Sequence, residues 1–196
     1  MRIISGKNRG RQITAPSSLP VRPTTDMSKE SLFNILNNYF YFDRVVVLDL
    51  FAGTGNLTYE FASRGALSVT SVDNHQGCAD FIRRTAGKLG YAQVSVIKAD
   101  AFVFTKHCKQ QFDIIFADPP YELNNIEQII DNVFEHKLLK PDGWLVMEHS
   151  KAHDFSQHPQ FYQHRKYGKV NFTFLVNMTD NSDSSEEEEE DQEDGR

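Results

Sequence analysis

Residues 45–56 read Val-Val-Val-Leu-Asp-Leu-Phe-Ala-Gly-Thr-Gly-Asn. The aliphatic run Val45–Leu50 is typical of a strand buried on both faces of a parallel sheet. Gly53 and Gly55 follow at once, and because they lack side chains a ligand can come close to the backbone of the turn. Asp49 stands near the end of the strand, where its carboxylate can pair with an ammonium group. The segment therefore predicts a buried strand followed by a ligand-binding turn, with a tight turn that binds nothing as the open alternative.

Outward from this segment, strand-like and helix-like segments alternate along the chain. Predicted helices cover 57–64, 76–89, 101–106 and 126–136, and predicted strands cover 68–72, 94–99, 112–117 and 143–148. Such alternation is typical of an α/β protein with a doubly wound, mostly parallel sheet, which binds ligands at the carboxyl ends of its strands. Only Gly168-Lys169 separates the last two predicted strands, 161–167 and 170–176, so an antiparallel C-terminal hairpin is expected.

The composition is that of one water-soluble domain. The chain has 196 residues, of which 39% are hydrophobic and 24% are charged. Its apolar runs are far shorter than the roughly 20 residues that cross a bilayer, and the first residues lack the features of a signal peptide. Cys78 and Cys108, together with the seven histidines, show no metal-binding spacing, so no metal is expected. These features predict a cytoplasmic enzyme without membrane association.

Residues 1–23 are predicted to form a basic arm. Arg2–Ser5 and Arg11–Ala15 would pair as a short hairpin around a turn that contains two glycines. The bases that precede the first acidic residue of the chain are Arg2, Lys7, Arg9, Arg11 and Arg22. Bases clustered in this way are the expected footprint of a nucleic-acid contact.

A helix is predicted directly after the arm, with Thr25 or Asp26 as its N-cap. The residues spaced to form its packed face are Leu32, Ile35, Leu36 and Tyr39. The main domain is expected to span 24–178. Residues 179–196 hold ten of the 27 acids and no aromatic or branched apolar residue, so this acidic tail is expected to be disordered.

Two further acids stand at the ends of predicted strands. Asp73 follows the second strand, where a carboxylate can accept both hydroxyl groups of a ribose, although Asp73 could equally cap the next helix. Asp100 follows the third strand and could accept the amino group of an adenine. With Asp49 and the glycine turn, these acids predict a nucleoside-binding edge of the sheet.

The fourth strand ends in Asp118-Pro119-Pro120-Tyr121. The two prolines stiffen the turn and bring no N–H groups, so its carbonyl oxygens lack local partners. The Asp118 carboxylate and the Pro119 carbonyl could accept the two hydrogens of an exocyclic amine, while Tyr121 offers a ring on which a planar base can stack. The turn is therefore predicted to bind an amine that reacts as a nucleophile.

These motifs resemble those of Rossmann-like, class I S-adenosylmethionine-dependent methyltransferases, and the Asp-Pro-Pro-Tyr element resembles the branch that methylates amines. The N-terminal segments Arg2–Gly6 and Arg9–Arg11, together with Arg22–Asp26, Glu30–Leu36 and Leu57–Ala66, are similar to the bacterial 16S rRNA guanine-N2 methyltransferase family that modifies guanine 966. The resemblance covers about residues 1–176. It implies transfer of a methyl group to N2 of a guanine, with S-adenosylhomocysteine as the product.

The resemblance also implies roles for individual residues. The residues expected to bind S-adenosylmethionine are Asp49, Phe51, Gly53, Gly55, Asp73, Asp100 and Ala101. The residues expected at the reacting amine are Asp118, Pro119 and Tyr121. The residues expected to contact the RNA are Arg2, Lys7, Arg9, Arg11, Arg22 and Thr24. The chain departs from the family at Met27 and Lys29, where arginines are expected.

The partner implied by the resemblance is 16S rRNA, within a partly or fully assembled small ribosomal subunit, and the protein is expected to be a monomer. Other functions stay open from the residues alone. Asp-Pro-Pro-Tyr would also suit an adenine-N6 DNA methyltransferase or a protein glutamine methyltransferase. A non-catalytic RNA-binding module is a further alternative, although such a protein would not need the residues that hold an amine.

Overall fold

The computed structural model describes residues 1–19 and 26–178. A single sheet of seven strands forms its centre. The strands are β1 (Val46–Leu50), β2 (Ser68–Asp73), β3 (Val94–Lys98), β4 (Phe112–Ala117), β5 (Leu139–His149), β6 (Phe161–Tyr167) and β7 (Val170–Val176). The helices are α1 (Asp26–Leu36), α2 (Asn56–Ser63), α3 (Gln76–Leu89), α4 (Ala101–His107) and α5 (Glu127–Glu135). Arg22, Thr24, Thr25 and the acidic tail lie outside the described residues.

The sheet has the order β3-β2-β1-β4-β5-β7-β6. Strands β1 to β5 are parallel, and β7 runs antiparallel to both β5 and β6. This arrangement confirms the predicted doubly wound, mostly parallel sheet with its C-terminal hairpin. The strand order reverses between β1 and β4, which is the position where open α/β sheets bind their ligands.

Both faces of the sheet are covered, as the continuous aliphatic strands predict. One apolar core lies between the sheet and α1, α2 and α3, and its aromatic side chains include Phe33, Phe61, Phe116, Trp144 and Phe172. The other core lies against α4 and α5, where Ile129, Ile130 and Val133 of α5 are buried. None of the helices in the described part of the chain is both long and apolar enough to cross a membrane.

The packed face of α1 differs from the prediction. The helix ends at Leu36, so the helical spacing does not extend to Tyr39, whose side chain is 51% exposed. Tyr39 instead contacts Trp144, with the ring centroids 4.5 Å apart. Phe33, which the spacing did not place on the packed face, is fully buried beside Phe61. The apolar face of α1 is therefore formed by Leu32, Phe33 and Leu36, and Tyr39 packs beyond the end of the helix.

The N-terminal segment packs against the main domain. Ile3 and Ile13 are buried in the core on the α2 side of the sheet. The predicted hairpin is present as a short antiparallel pairing around a bridge between Arg2 and Gln12: Ile3 N donates to Arg11 O at 3.0 Å, and Ile13 N donates to Met1 O at 2.9 Å. The amides of Ile4 and Ser5 donate to the Glu60 carboxylate at 2.8 and 3.0 Å.

Candidate active site

The site lies at the carboxyl ends of β1 and β4, the two strands between which the sheet order reverses. These strands are adjacent, with Asp49 opposite Phe116 and Leu50 opposite Ala117. The turn that begins with Asp118 therefore starts beside the turn that follows Leu50. The sheet thus brings together two motifs that are far apart in the sequence.

The turn after β1 has an unusual backbone. Phe51 has a φ of 58°, and Gly53 and Gly55 have φ values of 54° and 81°. A side chain at Gly55 would also meet the Tyr59 ring, because a Cβ atom there would lie 2.8 Å from it. Gly55 is the N-cap of α2 and offers no capping side chain. The first N–H groups of the helix therefore face this edge of the sheet, where they favour negatively charged ligand groups.

Asp49 is buried under this turn, with only 2% of its surface exposed. It accepts a hydrogen bond from the Thr58 hydroxyl at 2.6 Å. Burial raises the pKa of the Asp49 carboxyl to about 7, although the hydrogen bonds from Thr58 oppose this shift. A buried carboxylate without a cationic partner is costly, so a positively charged ligand group beside Asp49 would stabilise its ionised form.

Asp118 lies close enough to Asp49 for the two carboxyls to interact. Burial raises the pKa of Asp118 to about 7, and the negative charge of Asp49 adds to this effect. Pro119 is buried and Pro120 is exposed, while Tyr121 is 41% exposed. The ring of Tyr121 is therefore accessible to a planar base, and the Asp118 carboxyl lies deeper in the same turn.

Asp73 supports the glycine turn. Its two carboxylate oxygens accept hydrogen bonds from the backbone N–H groups of Gly53 and His75, both at 2.8 Å. The alternative that Asp73 caps α3 is wrong, because the N-cap is His75, whose ring Nδ1 accepts from the amide of Cys78. Asp73 thus connects the ends of β1 and β2.

Asp100 has a structural role at the end of β3. One of its carboxylate oxygens accepts from the amides of Phe102 and Val103, at 2.9 and 3.0 Å, and so caps α4. Ala101 is 4% exposed, so its side chain is buried in the core. A contact between Ala101 and a ligand would therefore use the backbone.

Glu148 is a site residue that the sequence reasoning did not select. It lies at the end of β5, is 4% exposed and interacts with both Asp118 and Tyr121. Burial raises its pKa to about 8; the charge of Asp118 raises it further, and a hydrogen bond from Tyr121 lowers it. The one signal in the sequence is an acid directly after the apolar run Trp144–Met147.

Asp49, Asp118 and Glu148 make this edge of the sheet strongly anionic when they are ionised. Such an edge attracts a cation, and the raised pKa values show that ionising these groups carries an electrostatic penalty in the ligand-free protein. Among the described residues, no group of three His, Cys, Asp or Glu side chains could hold a metal ion.

The predicted RNA-contact residues do not all lie at the site. The N-terminal end of the chain is near it, because the carbonyl oxygen of Arg2 and the side chain of Asn56 both accept hydrogen bonds from Lys29 Nζ. Lys7 lies at the other end of α2, where its amide donates to Ser63 O at 2.7 Å. Arg9 belongs to the same turn as Lys7.

Arg2 and Arg11 are exposed, as are Lys7 and Arg9, and Arg2 pairs with Asp26 at 3.2 Å. Lys29, in contrast, is 1% exposed and pairs with Glu60 at 3.4 Å. In this chain, the Lys29 side chain therefore binds the N-terminal segment to α2.

Comparisons with known proteins identify the family of this chain. A family model described as "Conserved hypothetical protein 95" matches residues 1–176. Ribosomal RNA small subunit methyltransferase D of Haemophilus influenzae is 36% identical over 155 residues, covering 77% of this chain and 79% of that protein. The Escherichia coli protein of the same name is 32% identical over 148 residues, covering 76% of this chain and 71% of that protein.

A solved structure of a hypothetical protein from Thermus thermophilus has the same fold. Its TM-score is 0.78 at 26% identity, and the match covers 89% of this chain and 98% of that one. The family model matches both the N-terminal segment and the sheet. The chain therefore belongs to the ribosomal RNA small subunit methyltransferase D family of Rossmann-like methyltransferases.

Proposed function

We propose that this protein transfers a methyl group from S-adenosylmethionine to the exocyclic N2 of a guanine in 16S rRNA. The observation that carries the proposal is the position of Asp118 beside Asp49 at the point where the sheet order reverses. One side of this site suits a cationic nucleoside, and the other suits a planar base with an amine. The methyltransferase family to which the chain belongs supports the same reaction class.

The residues around β1 and β2 would bind the cofactor. S-adenosylmethionine supplies a methyl group on a positively charged sulfur, which makes the methyl carbon electrophilic. The Asp49 carboxylate would pair with the ammonium group of the methionine part, and the turn from Phe51 to Gly55 would follow that part. Asp73 would accept the ribose hydroxyls with lone pairs that its bonds to Gly53 and His75 leave free, and Asp100 and Ala101 would border the adenine.

Asp118 and Pro119 would hold the guanine amine. The amine lone pair is delocalised into the base, so N2 is a weak nucleophile. Acceptance of its two hydrogens by the Asp118 carboxylate and the Pro119 carbonyl increases electron density at N2 and aims the nitrogen at the methyl carbon. The methyl carbon would bond to N2 as its bond to sulfur breaks, the bonding electrons would remain on the sulfur of S-adenosylhomocysteine, and one N2 proton would then pass to solvent. Alignment of this kind supplies at most about 7–11 kcal/mol of the barrier reduction.

The N-terminal bases would bind the RNA backbone. A guanine must leave its stack to reach Asp118 and Tyr121, which costs a few kcal/mol. Phosphate contacts by Arg2, Lys7, Arg9 and Arg11 would offset this cost, with Arg22 and Thr24 adding to the same surface. We propose that the substrate is the small ribosomal subunit, partly or fully assembled, and that the protein acts as a monomer.

The proposal is tested by mass spectrometry of 16S rRNA from cells with and without the protein, which identifies the nucleotide and the methylated atom. Loss of an N2-methylguanine supports the proposal. Loss of a methyladenine, of a DNA mark or of a methylated glutamine would assign one of the alternative acceptors, and an unchanged methylation pattern would favour a binding module.

Variants of the purified protein test the roles proposed for Asp118 and Asp73. Asp118→Ala should abolish methyl transfer while S-adenosylmethionine binding, measured by calorimetry, changes little. Asp73→Ala should weaken cofactor binding, because it removes the ribose acceptor and the support of the Gly53 turn. Asp80→Ala, an exposed acid on α3, is the control for both. Full turnover by Asp118→Ala would refute the role given to that residue.

A further inference from the structure

Glu148 is placed in the site by the register of the sheet. Strands β4 and β5 are parallel, with Phe116 opposite Val146 and Ala117 opposite Met147. Asp118 and Glu148 are the next residues along the two strands, so these acids lie beside each other at neighbouring strand ends. Side chains alternate along a strand, so Glu148 points to the same face of the sheet as Val146.

The burial of Glu148 lowers the stability of the folded protein. Its side chain is 4% exposed, and its strand neighbour on β7 is the fully buried Phe172. Among the described residues, Glu148 Oε2 has no hydrogen-bond partner. A buried carboxyl oxygen without a partner destabilises the folded state. An apolar residue of similar size would avoid this cost, so the position of Glu148 indicates a ligand with a hydrogen-bond donor.

The groups that face Glu148 limit what that donor can be. Asp118, directly after β4, repels a second negative charge, and Tyr121, in the same turn, donates a hydrogen bond to the Glu148 carboxyl. Asp49, on β1, lies beyond Asp118. A ligand group between these acids must therefore be a donor, and it must lie close to the amine that Asp118 and Pro119 are proposed to hold.

Guanine presents two adjacent donors on one edge, the N1–H and the N2 amine. We propose that Glu148 is the residue that selects guanine, by accepting the N1–H hydrogen bond while Asp118 accepts from N2. This inference rests on the proposed function and extends it to the choice of base. Acceptance of the N1–H also increases electron density in the ring next to N2, so the same contact favours the reaction.

The contact would discriminate against the alternative acceptors. Adenine carries a lone pair at N1, beside its N6 amine, and this lone pair would face the Glu148 carboxylate. When Glu148 is ionised, repulsion between two acceptors, together with the loss of one hydrogen bond, disfavours adenine, so the discrimination is strongest above the Glu148 pKa of about 8. A glutamine amide has no ring N–H next to its amine and would leave Oε2 of Glu148 without a partner.

The test changes each partner of the hydrogen bond between Glu148 and the base, namely the base in the RNA and the side chain in the enzyme. The substrates are two small-subunit RNAs that carry, at the mapped target position, either guanine or 2-aminopurine, which keeps the N2 amine but has a lone pair at N1. The enzymes are the wild type and Glu148→Gln, whose amide can donate to N1. Single-turnover rates of methyl transfer are measured for all four pairs. Glu122→Gln, an exposed acid beside Tyr121, is the matched control.

The wild type should methylate guanine about 10- to 100-fold faster than 2-aminopurine, which is the range expected for one specific base contact. Glu148→Gln should reduce this ratio towards one, and Glu122→Gln should retain it. Calorimetric binding of S-adenosylmethionine by Glu148→Gln serves as the check of folding. If Glu148→Gln does not fold, the wild type alone decides, since equal rates on the two RNAs would overturn the inference.

Two failures can be told apart in this design. A wild-type enzyme that methylates guanine N2 but keeps its full preference for guanine in Glu148→Gln would overturn the role of Glu148 and leave the proposed function standing. A wild-type enzyme that methylates adenine N6 and not guanine N2 would overturn both.

Discussion

At the scale of single residues, the site contains acids that are wholly or partly buried, of which Asp49 and Glu148 are the least exposed. Asp49 illustrates the consequence. In the folded protein its pKa is raised from 3.8 to about 7, chiefly by burial, and Thr58 only partly opposes the shift. A carboxyl with so strongly raised a pKa is typical of functional sites.

This cost predicts how stability depends on pH. Between pH 3.8 and about 7 the folded chain retains the Asp49 proton that the unfolded chain has released. The folded state thus binds more protons, and the contribution of Asp49 to the free energy of unfolding falls as the pH rises through this window. Asp49→Asn should therefore become more stable relative to the wild type as the pH rises, which urea unfolding across the window measures.

Asp80→Asn is the control for this experiment. The pKa of Asp80 is lowered, chiefly by the hydrogen bond from Gln76, so its contribution has the opposite sign and is lost as the pH falls. A constant difference between Asp49→Asn and the wild type across the pH window would contradict the assigned shift.

At the scale of secondary structure elements, one buried carboxylate joins the N-terminal segment to α2. Glu60 is fully buried and accepts from the amides of Ile4 and Ser5. It also pairs with Arg64 at 2.9 Å and with Lys29 at 3.4 Å. Since the N-terminus of α2 borders the glycine turn, the same helix contacts both the N-terminal segment and the site.

Glu60→Ala should destabilise the protein by about 3–5 kcal/mol, because it leaves buried Lys29 without its acidic partner. The free energy of unfolding in urea measures the effect. Asp80→Ala, which breaks the exposed pair with Arg83, should change stability far less, since solvent screens that pair. Equal effects of the two variants would show that the Glu60 cluster does not hold the N-terminal segment.

At the scale of the whole molecule, the basic residues of the N-terminal segment extend away from the candidate site. Lys7 and Arg9 lie at the far end of α2, which has 8 residues and is therefore about 12 Å long. An RNA that reaches both the candidate site and this turn must span this distance over the elements that cover α2, whose eight residues are all buried. The docking of the N-terminal segment, and not a free arm, sets that path.

The double variant Lys7→Gln/Arg9→Gln should weaken RNA binding without changing cofactor affinity. The slope of log affinity against log salt should become shallower by about 0.7–0.9 for each lost phosphate contact. Lys106→Gln/Lys109→Gln, which removes the same charge from exposed positions in and just after α4, is the control. Equal slopes for the two double variants would show that the RNA does not contact Lys7 and Arg9.

Most of the sheet could be predicted from the sequence, because a strand buried on both faces needs a continuous aliphatic run. The runs that form β1 to β4 are each followed by a helix, as the alternating pattern predicts. The sequence correctly placed Leu32 and Leu36 on the packed face of α1 but wrongly added Tyr39, since the spacing of Tyr39 continues a pattern that the backbone ends at Leu36. It also did not select Glu148 or Glu60, because a single acid in a sequence does not show whether it is buried.

By itself, the sequence determined the order of strands and helices and placed Asp49, Asp73, Asp100 and Asp118 at strand ends, since these properties depend on neighbours in the chain. Only the tertiary structure decided which of these acids meet. The pairing of β1 with β4 and of β4 with β5 joins segments far apart in the sequence, so the proximity of Asp118 to Asp49 and Glu148 follows from the order of strands in the sheet.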